Sequence, residues 1–270
     1  LSLLHQGNTA LDEYLELLEK DKFYGIECVW ADGRYAFPVR NRAQCAGARY
    51  YNYYPVAVPV LAAPAVLTLE TGLKAAQPWL GPLAQRQPTA VRRDFFRGDL
   101  VRSSAAAEML IASVFVAATT VLIYWIAREY LPPLGGAVLA VVFAFCTSAW
   151  SMASRGLWQH GPSMLMLAAA LLLVLQAERR PALIRFAGLP LVLAFFLRPT
   201  NILPLAAFSL YVLLRYRRHF PAYVLWAAPI GLAFLAYDWA VYGRLLAPYF
   251  YVQRGTVPSL SLHPRFLEAL

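Results

Sequence analysis

The sequence predicts an all-α fold: a polytopic transmembrane helical bundle with an outward, periplasmic N-terminal loop carrying amphipathic and juxtamembrane helices. Three observations predict it. The chain is 60% hydrophobic and only 14% charged, against about a quarter charged in an ordinary soluble domain. Its second part contains six apolar stretches, near 104–127, 134–150, 161–177, 183–197, 201–215 and 221–241. Its net charge is +9, and arginines recur in alternate short connections of the second part, the positive-inside pattern of a membrane protein and not a nucleic-acid footprint. These features divide the chain into an outward loop over 1–103, a six-span bundle over 104–241, and a truncated outward loop over 242–270.

The first 54 residues are polar, and seven of the fifteen acids precede Gly33. In "NTALDEYLELLEK", Leu11, Leu15 and Leu18 share a helical face, and Thr9 followed by Asp12 resembles a capping box. This predicts an amphipathic helix over about 9–20. It lies either on a membrane surface or on the rest of its own loop. Cys28 and Cys45 lie in the same region and either pair, if it is periplasmic, or stay as free thiols. Cys146 reads as an inert packed thiol. No CxxC pair or His/Cys cluster has zinc spacing, which argues against a structural metal site. The sequence assigns no cofactor and leaves a divalent-metal requirement open.

Residues 50–73, "YYNYYPVAVPVLAAPAVLTLETGL", are apolar but interrupted by Pro55, Pro59 and Pro64. Each proline removes a backbone donor, and lipid supplies no substitute. Tyrosines at the front suit a headgroup boundary. A juxtamembrane helix over about 54–73, dipping into the interface, is therefore preferred over a full span.

The stretches at 104–127 and 221–241 are long enough to cross about 30 Å of hydrocarbon. Those at 183–197 and 201–215 are short, as expected of tilted or broken segments. Connections at 128–132, 178–182 and 216–220 carry Arg128, Arg179, Arg180, Arg217 and Arg218, which places them in the cytoplasm. The opposite connections carry only Arg155 and Arg198. They face outward together with the N-terminal region. Residues 74–103 disagree, since Lys74, Arg86, Arg92, Arg93, Arg97 and Arg102 would also face outward.

Four outward patches then converge. They are Asp12 and Glu13 with Tyr14; the tyrosines around Tyr53 and Tyr54; Arg155, Trp158, Gln159 and His160; and Arg198 with Asn201. Each has a plain structural role available: a snorkelling arginine, a belt tryptophan, a border histidine. Asp238, near the outer end of the last span, is a functional candidate as an ionisable residue near the membrane; its plain alternative is a pair with an arginine such as Arg244, and that of Glu108 is a cap on its span. Together, however, the patches suit chemistry on a lipid-linked substrate. A carboxylate can take a proton from an acceptor hydroxyl. An arginine or histidine can stabilise a departing phosphate.

Five segments carry a family resemblance: "SLLHQGNTALDEY", "YYNYYPVAVPVLAAP", "TSAWSMASRGLWQHGPSML", "FLRPTNILP" and "AVYGRLLAPY". In that order they resemble segments of bacterial membrane glycosyltransferases of the GT-C superfamily, near the dolichyl-phosphate-mannose protein mannosyltransferase group. The Trp158-Gln159-His160-Gly161-Pro162 run is the most specific match. The resemblance implies a bacterial inner-membrane enzyme that moves a sugar from a polyprenyl-phosphate donor to an acceptor at the external face. Its partners would be that lipid-linked sugar and membrane lipid, with no nucleic acid. Asp12 and Glu13 become candidate catalytic acids. Arg155, Trp158, Gln159, His160, Arg198, Asn201, Tyr53 and Tyr54 become candidate substrate-binding residues. Members place a catalytic acid in the first outward loop, which puts it ahead of Leu1 and makes this chain a piece lacking an N-terminal span and a C-terminal part. A lipid-substrate transporter or flippase and a non-catalytic assembly protein are the alternatives. The predicted span centres carry no charge and show no internal repeat, which disfavours ion-coupled transport.

Overall fold

The structure is a computed structural model that describes residues 1–250. A small cap formed by the first 56 residues closes one end of a helical bundle. The cap opens with a single turn, α1 (Ser2–His5), a 3₁₀ turn at Asp12–Tyr14 and α2 (Leu15–Lys20). Three strands follow: β1 (Ile26–Val29), β2 (Tyr35–Ala36) and β3 (Arg49–Asn52). They form an antiparallel sheet in the order β2-β1-β3, with Cys28 opposite both Ala36 and Tyr50.

The sheet corrects the all-α expectation. All four residues of β1 are buried, so the strand lacks the in–out alternation that marks a half-exposed strand. Cys28 is joined to Cys45 by a disulfide, which settles the choice between pairing and free thiols. Both sulfurs belong to a core of Phe23, Ile26, Val39 and Tyr50.

The predicted amphipathic helix over 9–20 is shorter than expected. Its leucine face is real: Leu11, Leu15 and Leu18 pack on the disulfide core. The helix therefore lies on its own layer. Thr9 does not cap it, because its hydroxyl is hydrogen-bonded at 2.8 Å to the Tyr237 hydroxyl.

Beyond the cap, α3 (Ala57–Ala75) is an uninterrupted 19-residue helix. It matches the helix expected over about 54–73 and is long and apolar enough to cross a membrane. Pro55 precedes the helix and Pro59 falls in its first turn, where backbone N–H groups have no helical partner. Only Pro64 removes an internal bond. Glu70 in α3 accepts hydrogen bonds from Lys74 Nζ at 2.6 Å and from His5 Nε2 at 3.0 Å, tying the first turn of the chain to this helix. Next come α4 (Gln77–Gln85) and α5 (Ala90–Phe96), the latter capped by the Thr89 hydroxyl, which accepts from the Arg92 N–H.

The bundle proper is α6 (Ser104–Arg128), α7 (Pro133–Cys146), α8 (His160–Ala177), α9 (Gly188–Leu197), α10 (Ile202–Arg215) and α11 (Phe220–Tyr242). A π-turn at Ala149–Ala153 follows α7, and a 3₁₀ stretch at Pro181–Ala187 leads into α9. Each of the six expected apolar stretches is helical. Four helical runs among the described residues are long and apolar enough to cross a membrane: Ala57–Ala75, Ser104–Arg128, His160–Ala177 and Arg217–Tyr242. The helices Pro133–Cys146 and Ile202–Arg215 and the apolar run Pro181–Leu197 are shorter.

The bundle core is Ala170, Val174, Ala177, Ile184, Ala187, Leu191, Val212 and Tyr223. Its three alanines let helix backbones approach. Gly188 is the tightest point. A Cβ built there would lie 2.5 Å from the Tyr223 carbonyl oxygen of α11. Outside, the bundle is apolar: Trp125, Leu134, Phe145, Leu203, Leu225, Leu232 and Trp239 are all exposed. Cys146 is exposed too, contrary to the expected packed thiol. An apolar surface this broad is uncommon on a protein surrounded by water.

Candidate functional site

The cap meets the bundle along a line of tyrosines contributed by β3 and the segment after it. Gly25, with φ +67°, turns the chain into β1. A Cβ on it would come within 2.9 Å of the Tyr54 ring, so glycine is required for conformation and for space. Tyr53 stacks on Phe37 with centroids 3.7 Å apart. Tyr249 meets Tyr53 and Tyr54 edge-on at 5.3 Å and 5.9 Å. Burial raises the Tyr53 phenol above its usual value. Burial, with Tyr24 and the neighbouring tyrosines, pushes Tyr54 up to about 12. Both rings are therefore neutral donors at physiological pH.

Trp158 completes this cluster from the bundle side. Its ring lies 6.5 Å from that of Tyr54 and folds over Gly156, where a Cβ would meet it at 2.8 Å. Gln159 Nε2 donates a 2.6 Å hydrogen bond to the Tyr249 hydroxyl. Its Oε1 is buried with no partner among the described residues. Between cap and bundle lies a groove of about 360 Å³ lined by Tyr24, Tyr54, Trp158, Gln159 and Glu108. Of the sequence candidates, the structure thus brings Tyr53, Tyr54, Trp158 and Gln159 together.

The other candidates fall elsewhere. Arg155 and His160 are exposed in and after the 154–159 turn. Arg198 is half-buried and close enough for its charge to act on His160. Asn201 is buried, and its amide donates to Ser163 Oγ and to the Ala194 carbonyl, each at 2.7 Å. It pins the α9–α10 corner to α8. Asp12 accepts from the Tyr50 N–H at 3.0 Å and pairs with Arg49. Glu13 accepts from Ser2 Oγ at 2.6 Å. Both acids hold the cap together at a distance from the groove lining.

Two acids stand in structurally loaded positions that the sequence did not assign to a site: Glu108, read there only as a cap, and Glu27, not singled out at all. Glu108 is not a helix cap, since Ser103 holds that position. It sits in the second turn of α6 and lines the groove. Its signal is an acid inside an apolar run, which is a functional candidate by default. Glu27, the second residue of β1, is 0% exposed. Tyr242 Oη donates a 2.7 Å hydrogen bond to Glu27 Oε1, and Oε2 has no partner among the described residues. Burial pushes this carboxyl up to about 7, against the lowering effect of the Tyr242 bond, with the nearby Asp238 charge adding to the rise. Its signal is an acid between two buried apolar residues, Ile26 and Cys28.

For Asp238 the structure removes the plain alternative. It does not pair with Arg244, whose guanidinium lies over the Tyr35 ring. Instead Asp238 Oδ2 accepts from the Ala247 N–H at 3.0 Å. Among the described residues no group of three or more His, Cys, Asp or Glu side chains could hold a metal ion. No family model, curated protein or solved structure matches the chain.

Proposed function

We propose that the chain belongs to a bacterial inner-membrane glycosyltransferase that transfers a sugar from a polyprenyl-phosphate donor to an acceptor on the external face. The observation that carries this reading is the groove between cap and bundle. It brings the Glu108 carboxylate, the Gln159 amide and the rings of Tyr24, Tyr54 and Trp158 to a single opening. The apolar exterior of the bundle supports a membrane setting, and the arginines of the connections at 128–132, 178–182 and 216–220 favour the cap on the outward side. The resemblance in the Trp158–Pro162 run supports the class of reaction.

The residues divide the work by chemistry. Tyr54 and Trp158 offer flat faces to a sugar or to the first isoprenoid units. Gln159, held by Tyr249, offers the free carbonyl of its side chain to a sugar hydroxyl. Glu108 takes the proton of the acceptor hydroxyl as it attacks the anomeric carbon. The bond from that carbon to the phosphate oxygen breaks, and the polyprenyl phosphate leaves with the electron pair. His160, the next residue along the chain, and Arg198, whose charge acts on it, meet the phosphate.

The test is transfer from a radiolabelled polyprenyl-phosphate sugar by membranes carrying the full-length protein. His160→Ala and Arg198→Ala are expected to lower transfer at least tenfold. Unchanged transfer at normal expression would remove both from the site.

A further inference from the structure

A second cavity lies between the cap and α11, beside the groove. Its volume is about 130 Å³, comparable to cavities of about 150 Å³ that accept a benzene-sized guest. Its lining is unusual in combining rings with one acid. Tyr51, Tyr54, Phe196, Phe234, Tyr237, Tyr242 and Phe250 surround Asp238. Asp238 is only 3% exposed. Its Oδ2 is taken by the Ala247 N–H, and its Oδ1 has no partner among the described residues.

No described Lys, Arg or His pairs with this carboxylate. A buried acid without a cation is costly. A second buried acid, Glu27, stands behind Tyr242, and its Oε2 is unpartnered as well. Two of the four lining tyrosines have their hydroxyls engaged. Tyr237 Oη is engaged by Thr9 and Tyr242 Oη by Glu27. Those bonds hold both phenols by their hydroxyls in the cavity wall. Rings around a carboxylate attract a desolvated organic cation through their negative faces.

The geometry points to an ammonium-binding site in which Asp238 neutralises an alkylammonium group and the surrounding rings enclose it. The group comes either from a soluble amine or from a lipid headgroup. Tyr54 lines both this cavity and the groove, but the inference does not rest on the transfer reading above, because its acid is Asp238 and not Glu108.

The probe is radiolabelled choline, in equilibrium dialysis with the full-length protein in phosphatidylglycerol nanodiscs. The comparison ligand is 3,3-dimethyl-1-butanol, the neutral isostere of choline. Choline is expected to saturate one site and to bind at least tenfold tighter than the isostere. Asp238→Asn should weaken choline at least tenfold. Phe250→Leu keeps apolar volume and removes one ring; it should weaken choline at least threefold without affecting the isostere. Repeating the titration in phosphatidylcholine nanodiscs separates the sources. A fall in apparent choline affinity there identifies a lipid headgroup, and an unchanged value identifies a soluble amine. Absence of saturable binding, equal competition by the isostere, or wild-type choline binding by both variants would overturn the site.

Discussion

The Tyr242 hydroxyl reaches across 215 positions of sequence to donate a 2.7 Å hydrogen bond to Glu27. This bond links the central strand of the cap to the last turn of α11. With the Thr9–Tyr237 bond it fixes how the cap sits on the bundle. Both cavities at that junction depend on this placement.

Glu27 makes the junction sensitive to pH. Its folded value, about 7, lies above the ordinary 4.5. Between those values the folded protein keeps a proton that the unfolded chain releases. This contribution to stability is full below about 4.5 and is lost as pH rises through about 7. The difference amounts to about 3 kcal/mol. Thermal unfolding of the purified protein should therefore show a declining Tm from pH 5 to 8. Glu27→Gln should flatten that decline. A variant with the same slope as wild type would assign the titration to another group.

The disulfide closes a loop of 17 residues within the cap. Loop-closure entropy at that length is worth about 3 kcal/mol. Cys28→Ser with Cys45→Ser should lower the Tm of the cap, and reductant should do the same to wild type only. Limited proteolysis with and without reductant reads this directly, as earlier cleavage between 20 and 50.

Asn201 donates two buried hydrogen bonds. Asn201→Ala leaves the Ala194 carbonyl and Ser163 hydroxyl without that partner, at about 1–3 kcal/mol. A substrate ligand would lose binding without losing stability. The expected signature is the reverse: a lower Tm, with transfer per folded molecule reduced less than threefold.

Gly188 allows α9 to touch the backbone of α11. Gly188→Ala drives a methyl group to 2.5 Å from the Tyr223 carbonyl oxygen, and neither atom can rotate away. Overpacking of this kind typically costs about 1–3 kcal/mol. Reduced yield of monodisperse protein on size exclusion checks it, with Gly231→Ala as the control because its Cβ would meet nothing within 4 Å.

The bundle was legible because hydropathy and the 3.6-residue period survive in the sequence whatever the helices pack against. The leucine face of Leu11, Leu15 and Leu18 was legible for the same reason. Strand β1 was hidden because both faces are buried and only four residues long. The proline spacing left α3 legible as a helix, since a proline in a first turn costs nothing in hydrogen bonding. The tyrosine–tryptophan half of the groove could be anticipated from residue type. Glu108 was visible as an acid in an apolar run, but its place in a groove depended on where Leu157–Gln159 folds back. The partners of Glu27 and Asp238 come from distant or backbone groups, which no local pattern encodes. Asp12 and Glu13 stand out by composition, yet their oxygens are spent on Tyr50, Arg49 and Ser2.

The central claim is that the groove carboxylate, and not the acidic pair of the cap, serves the reaction. Its most direct test is the initial rate of sugar transfer from a labelled polyprenyl-phosphate donor by Glu108→Gln beside Asp12→Asn, at matched amounts of folded protein. The account predicts a loss of at least a hundredfold for Glu108→Gln and of less than threefold for Asp12→Asn. Wild-type transfer by Glu108→Gln, or the opposite order of the two variants, would contradict it.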